Sequence, residues 1–158
     1  MSNLTGFRDP YAFQSPVLSS LLANTTSAAG HIFLTISSGV RTSADPSGGP
    51  RLFLYRQTTP DDVRQWTYLG PLVNVPAFSS FSEWSGNYGI NFETACVARL
   101  DERGDATNSF DKDAINFIGF GTEEGRNGSH ENHWPLCENP FCCAVLDRSN
   151  TCADLMCM

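Results

Sequence analysis

Apolar and polar positions alternate in short runs along this chain, and each run is closed by Gly, Pro, Asn or Asp. The first, 7–14 (FRDPYAFQ), contains Pro10, which disfavours the α region for Asp9, so we expect an extended lead-in and then a short strand. PVLSSLLA at 16–23 has some helical spacing but little length, and 24–30 is polar loop. HIFLTIS at 31–37, RLFLYRQ at 51–57 and WTYLGPL at 66–72 are rich in β-branched and aromatic residues and read as strands. The turns between them are marked by Asp45-Pro46-Ser47-Gly48-Gly49-Pro50 and by Thr59-Pro60-Asp61-Asp62. Four short strands with tight connections predict one up-and-down antiparallel sheet. The pattern then restarts, with NFETACVARL at 91–100 and AINFIGFGT at 114–122 as the first two strands of a second unit. A four-stranded sheet that recurs along a chain predicts propeller blades, while a β-sandwich would give similar spacing.

Two carboxylates stand out against this pattern. Glu93 heads the apolar run carried by Ala95, Val97 and Leu100, and Asp9 lies in the opening strand of the preceding unit. Taken alone, Glu93 is more readily a surface residue at a strand edge. In a propeller, however, the first strand of each blade is innermost, and both residues would occupy the same place in consecutive units. Carboxylates converging on one cavity suit glycoside cleavage, where one protonates the leaving oxygen and another meets oxocarbenium-like charge.

Composition narrows the remaining choices. At 158 residues, with 41% hydrophobic and 11% aromatic residues, the chain can bury one domain's core. A formal charge of -7 offers no basic patch for nucleic acid. No run approaches the roughly 20 apolar residues of a membrane-spanning helix. The N-terminal MSNLTGFRDP lacks the basic and apolar regions of a signal peptide. Against that, Asn3, Asn24 and Asn127 begin glycosylation-type triplets, a weak pointer to secretion. Cys96 stands apart, whereas Cys137, Cys142, Cys143, Cys152 and Cys157 crowd the C-terminal end, which is no framework for stapling a whole domain. The adjacency of Cys142 and Cys143, without paired C-x-x-C spacing, does not fit a zinc site.

Four segments, in matching order, resemble glycoside hydrolase family 32, most of all its fungal fructosyltransferases and invertases. They are Gly6-Phe7-Arg8-Asp9-Pro10-Tyr11, Arg51-Leu52-Phe53-Leu54-Tyr55-Arg56, Trp66-Thr67-Tyr68-Leu69-Gly70-Pro71-Leu72 and Gly86-Asn87-Tyr88-Gly89-Ile90-Asn91-Phe92-Glu93-Thr94-Ala95. Phe120-Gly121-Thr122-Glu123 and His133-Trp134-Pro135-Leu136 extend the likeness, which runs from about Leu4 to Leu136. It implies an all-β fragment of a five-bladed propeller, about one and a half blades, and hydrolysis or transfer of β-fructosyl units of sucrose or fructans with retention. It implies Asp9 as transition-state stabiliser and Glu93 as general acid/base, in a Glu-Thr-Ala context where many members have Glu-Cys-Pro. Arg8, Glu123 and His133 would contact substrate, although a half-buried structural His beside Trp134 fits His133 equally well. Arg8 would also keep Asp9 ionised. An acid/base needs a raised pKa, for which Phe92, Trp84 and Tyr88 would supply apolar surroundings and Asp9 a negative charge. No cofactor and no metal are expected. The family is usually secreted.

The chain also departs from the family. The family's nucleophile lies in an Asn-Asp-Pro-Asn-like segment, and none occurs in these 158 residues. Asp45-Pro46 and Asp61-Asp62 lack its context. After Leu136 the sequence reads CENPFCCAVLDRSNTCADLMCM, which we expect to be an unrelated Cys-rich tail over 137–158, translated from an intron or a shifted frame. Codons for Cys137-Glu138 can spell GTGAG, a splice-donor start. The expected chain is therefore poorly soluble and inactive on sucrose by itself. The alternatives are a non-catalytic carbohydrate-binding module without a nucleophile, or a small secreted Cys-rich interaction protein.

Overall fold

The structure is a computed structural model and describes residues 3–22, 31–59, 62–80, 87–101, 103, 105–107, 115–123, 142–146 and 152–153. These residues form two antiparallel sheets and one short helix. The first sheet runs in chain order through β1 (Leu4–Gln14), β2 (Ile32–Val40), β3 (Gly49–Gln57) and β4 (Trp66–Asn74), and α1 (Pro16–Leu22) lies between β1 and β2. The second runs through β5 (Asn91–Leu100), β6 (Ile115–Glu123), β7 (Cys142–Leu146) and β8 (Cys152–Ala153). Both are the expected up-and-down sheets. In the second, only β5 and β6 reach full length, so the described strands make one complete unit and a shorter one. β7 and β8 fall within the Cys-rich segment, and β7 pairs with β6 from Asn116↔Leu146 to Phe120↔Cys142.

The first strand differs from its sequence reading. Instead of a lead-in and a short strand, β1 is continuous over 11 residues. It absorbs Pro10 in a bulge, where the register jumps from Arg8↔Ser37 to Tyr11↔Thr35. A bulge is where a strand tolerates a residue that cannot donate to the ladder.

Leu52, Val73, Val75, Tyr88, Phe92, Ala95, Ile118 and Phe120 form the buried core, joining β3 and β4 to β5 and β6. Phe92 and Phe120 have ring centroids 4.2 Å apart, and Tyr88 meets both edge-on. Alternation along β3 sends Leu52 into this core and turns Phe53 and Tyr55 to the opposite face. There Phe53 packs on Phe7 at 6.3 Å, and Tyr68 packs on both Phe53 and Tyr55. Phe7 and Tyr68 remain 47% and 50% exposed, so the outer face of the first sheet is an open aromatic strip.

Glycine sets how closely the two sheets meet. Gly6 and Gly39 are paired across β1 and β2. A Cβ on Gly39 would lie 2.0 Å from the Ile90 carbonyl oxygen and 2.4 Å from Thr5 Oγ1, and one on Gly6 would lie 3.3 Å from the Asn91 amide. The glycine pair is therefore the slot into which Ile90 and Asn91 enter, and it fixes where β5 begins against β1.

Candidate functional site

The site is built from two β-bulges facing each other across that seam. In β1 the two residues Asp9 and Pro10 stand where β2 supplies one. In β5 the register jumps from Glu93↔Gly121 to Cys96↔Gly119, so Thr94 and Ala95 stand where β6 supplies one. Each bulge holds a residue with positive φ, Asp9 at 52° and Thr94 at 46°. Left-handed backbone is uncommon for residues with a Cβ, and bulges of this kind re-aim side chains near functional sites.

The bulge in β5 frees two successive backbone N–H groups from the ladder, and the first sheet accepts both. Thr94 N–H donates to Asp9 Oδ2 at 2.8 Å, and Ala95 N–H donates to Ser37 Oγ at 3.2 Å. These bonds satisfy backbone donors that would otherwise stay unpaired.

By register, the counterpart of Glu93 is Arg8, the last paired residue before the β1 bulge, and the counterpart of Asp9 is Thr94. The expectation that Asp9 and Glu93 occupy equivalent places is thus one residue out of step. A bulge adds a residue, and sequence spacing does not show which residue it adds. The two counterpart pairs are also in direct contact: Arg8 with Glu93, and Asp9 with Thr94.

Arg8 is the centre of charge. Its terminal nitrogen lies 2.9 Å from Glu93 Oε1 and also pairs with Glu123 Oε2. Glu123, the last residue of β6, further accepts a hydrogen bond from Asn91 Nδ2 at 2.9 Å. Arg8 pairs with the two glutamates and also feels the charge of Asp9, whose carboxylate accepts the backbone N–H of Thr94. Arg8 Nε finds no acceptor among the described residues.

Glu93 and Glu123 share a hydrogen bond and are pushed in opposite directions. Burial, then the hydrogen bond and charge of Glu123, hold Glu93 above the usual carboxylate range, against the pull of Arg8; Asp9 adds the smallest push. Burial also works to raise Glu123, but the hydrogen bonds from Glu93 and Arg8 outweigh it and hold Glu123 low. Two hydrogen-bonded carboxyls beside one cation titrate as a pair, with Glu93 pushed up and Glu123 pushed down. The negative neighbour expected of Asp9 is supplied mainly by Glu123. Of the apolar groups expected around Glu93, Phe92 and Tyr88 belong to the buried core, and Trp84 lies outside the described residues.

Of the candidates, Arg8, Asp9, Glu93 and Glu123 are brought together, and His133 lies outside the described residues. Sequence reasoning passed over Asn91 and Ser37. Both are polar, fully buried and within strands, and burial becomes visible only in the fold. Among the described residues, no group of three His, Cys, Asp or Glu side chains is placed to hold a metal ion, and no helix is long and apolar enough to cross a membrane.

No family model matches the sequence, and no curated protein matches it. Solved structures do. A crystal structure of wild-type fructosyltransferase from A. japonicus superposes with a TM-score of 0.67 at 27% identity, over 90% of this chain and 24% of that one. A second crystal structure, of A. japonicus CB05, gives 0.69 at 26% identity over the same shares of the two chains. The chain spans about a quarter of the length of the structures it matches. The all-β propeller-type architecture and the likeness to fungal fructosyltransferases expected from the sequence are both borne out, and the chain is a two-sheet relative, in fold, of a fructosyl-transferring enzyme.

Proposed function

We propose that the chain carries the proton-donor side of a site that cleaves or transfers β-fructosyl units with retention. Glu93 is the general acid/base. Asp9, anchored on the Thr94 N–H, is the transition-state stabiliser, and Arg8 and Glu123 contact the sugar. The observation that carries this reading is the arrangement: one cation, Arg8, between two carboxyls, Glu93 and Glu123, with Glu93 pushed up by burial and by Glu123 and standing beside the β5 bulge that Asp9 holds. A carboxyl held above the usual carboxylate range is better able to protonate a leaving oxygen, and general acid catalysis contributes about 10²–10⁴-fold. The fold likeness supports a fructoside as substrate.

Retention needs a second carboxylate about 5–5.5 Å from the acid/base. The Asn-Asp-Pro-like segment expected to supply it does not occur in these residues, so the chain by itself should not turn over sucrose. The test compares the 158-residue chain with the product of the same gene extended upstream and downstream. Glucose release from sucrose confined to an extended product with the Asn-Asp-Pro-like segment, and lost about 10²–10⁴-fold in its E93Q variant, supports the proposal. Turnover by the 158-residue chain alone, or full activity of E93Q, overturns it. The same genomic sequence tests the origin of 137–158: a downstream exon that resumes the family pattern supports an intron or a shifted frame.

A further inference from the structure

Asn91 is the first residue of β5, and its side chain is fully buried, 0% exposed. It touches both sheets. Thr5 of β1 donates its hydroxyl to Asn91 Oδ1 at 2.9 Å. Asn91 Nδ2 donates to Glu123 Oε2 at 2.9 Å and to the Phe92 carbonyl at 3.0 Å. These partners leave one orientation of the amide. A carboxylate and a carbonyl both need N–H groups, which turns Oδ1 toward the Thr5 hydroxyl; that hydroxyl also lies 3.4 Å from the Ile90 carbonyl oxygen. The neighbouring Gly6 admits the amide, since any Cβ there would press against both of its terminal atoms at 3.3 Å.

We propose that Asn91 is a positioning residue of the carboxyl pair: its buried amide, held between Thr5 and Glu123, keeps Glu123 Oε2 against Arg8 and so, together with Arg8, sets the two carboxyls apart. This rests on the reading of Glu93 as the proton donor. Two carboxyls that share a hydrogen bond are interchangeable in chemistry, so something must break the tie. Arg8 reaches both but approaches Glu123 more closely and hydrogen-bonds it, so it already favours the carboxylate there, and Asn91 acts on the same oxygen. Asn91 reaches only Glu123 and offers N–H, which favours a carboxylate over a carboxylic acid at that oxygen. Among the described residues, the other charged groups facing the pair are Arg8 and Asp9, both on β1, and they are common to wild type and variants. The chain Thr5–Asn91–Glu123–Glu93 therefore runs from the outside of the glycine slot to the acid, and every link after Thr5 depends on the amide keeping its orientation.

The test is a carboxyl ¹³C NMR titration of the 158-residue chain with labelled glutamate. In wild type, Glu93 should titrate well above Glu123. In N91A the gap should narrow by about one pH unit, with Glu123 moving up and Glu93 moving down. T5V, which leaves Asn91 in place but removes the hydroxyl that orients it, should narrow the gap in the same sense and by less; T5S should keep it. If N91A does not fold, T5V against T5S decides. An unchanged gap in T5V, or movement of both glutamates in the same direction in N91A, overturns the proposal. A residue that merely filled space would alter stability without moving the two midpoints toward each other. Because the titration needs neither sugar nor nucleophile, its failure removes the role of Asn91 and leaves the fructosyl reading to its own test.

Discussion

The two bulges use one backbone device and present opposite chemistry. In β1 the charged residue that matters is inside the bulge, Asp9, and its left-handed backbone turns the carboxylate toward the other sheet. In β5 the acid, Glu93, stands just before the bulge, and the left-handed residue is Thr94, which contributes only its N–H. A bulge therefore does two jobs here: on one strand it aims a side chain, and on the other it releases a backbone donor for that side chain to hold. The site is made by the pairing, and neither sheet contains it alone.

The largest break in that pairing should come from G39A. With the Ile90 carbonyl oxygen 2.0 Å from the new Cβ, backbone must move, and we expect a loss of about 3 kcal/mol or more, read by urea denaturation, with the Glu93–Glu123 titration gap collapsing as β5 backs away. Next is S37A, which leaves the buried Ala95 N–H without its acceptor at a cost of about 1–3 kcal/mol, while S37T, which keeps a hydroxyl, should recover part of it. At Asp9 the comparison divides by substitution. D9N keeps an acceptor oxygen and tolerates positive φ, so its stability should stay near wild type. D9A loses both and should cost about 1–2 kcal/mol, seen as faster exchange of the Thr94 amide. T94G sharpens the contrast, since only the backbone of Thr94 is used: relief of its left-handed strain should stabilise the chain by about 1 kcal/mol, with the hydrogen bond to Asp9 intact.

The smallest effect is electrostatic. Glu93 is raised in the folded chain, so its contribution to stability is complete below the usual glutamate range and is lost as pH rises through its folded value. Glu123 is lowered, so its contribution is present above the usual range and is lost as pH falls through its own folded value. Stability measured across pH should decline on both flanks. E93Q should flatten the upper flank and leave the lower one; an upper flank unchanged in E93Q would show that Glu93 does not hold the proton.

How far the chain could be read in advance follows from the same features. Strands β2 to β6 were legible because β-branched and aromatic runs end at turn residues, and β5 matches its expected span of Asn91–Leu100. The helix Pro16–Leu22 was visible only as spacing, being too short to distinguish from loop. Arg8, Asp9, Glu93 and Glu123 were legible through family likeness, but their partners were not. Register depends on which residue a bulge adds, and Thr94 looks like any strand residue until its φ is known. Asn91 and Ser37 were hidden because an Asn at a strand start suggests a turn and a Ser in a strand suggests solvent. Both are polar groups that burial makes useful only once the other sheet is in place. Gly6 and Gly39 offered a clue, since glycine inside a strand often marks close backbone approach.

The aromatic strip of Phe7, Phe53, Tyr55 and Tyr68 has a consequence for how the chain behaves as a colloid. At neutral pH the formal charge of -7 should oppose contact between molecules through the strip. Near the sequence pI of about 4.7 that repulsion vanishes, and a sticky face is left with nothing to hold its neighbours off. The pH range in which carboxyl groups exchange their protons is thus also the range in which the molecules begin to find one another, so proton chemistry at the seam and clustering through the outer face are tied to the same acid.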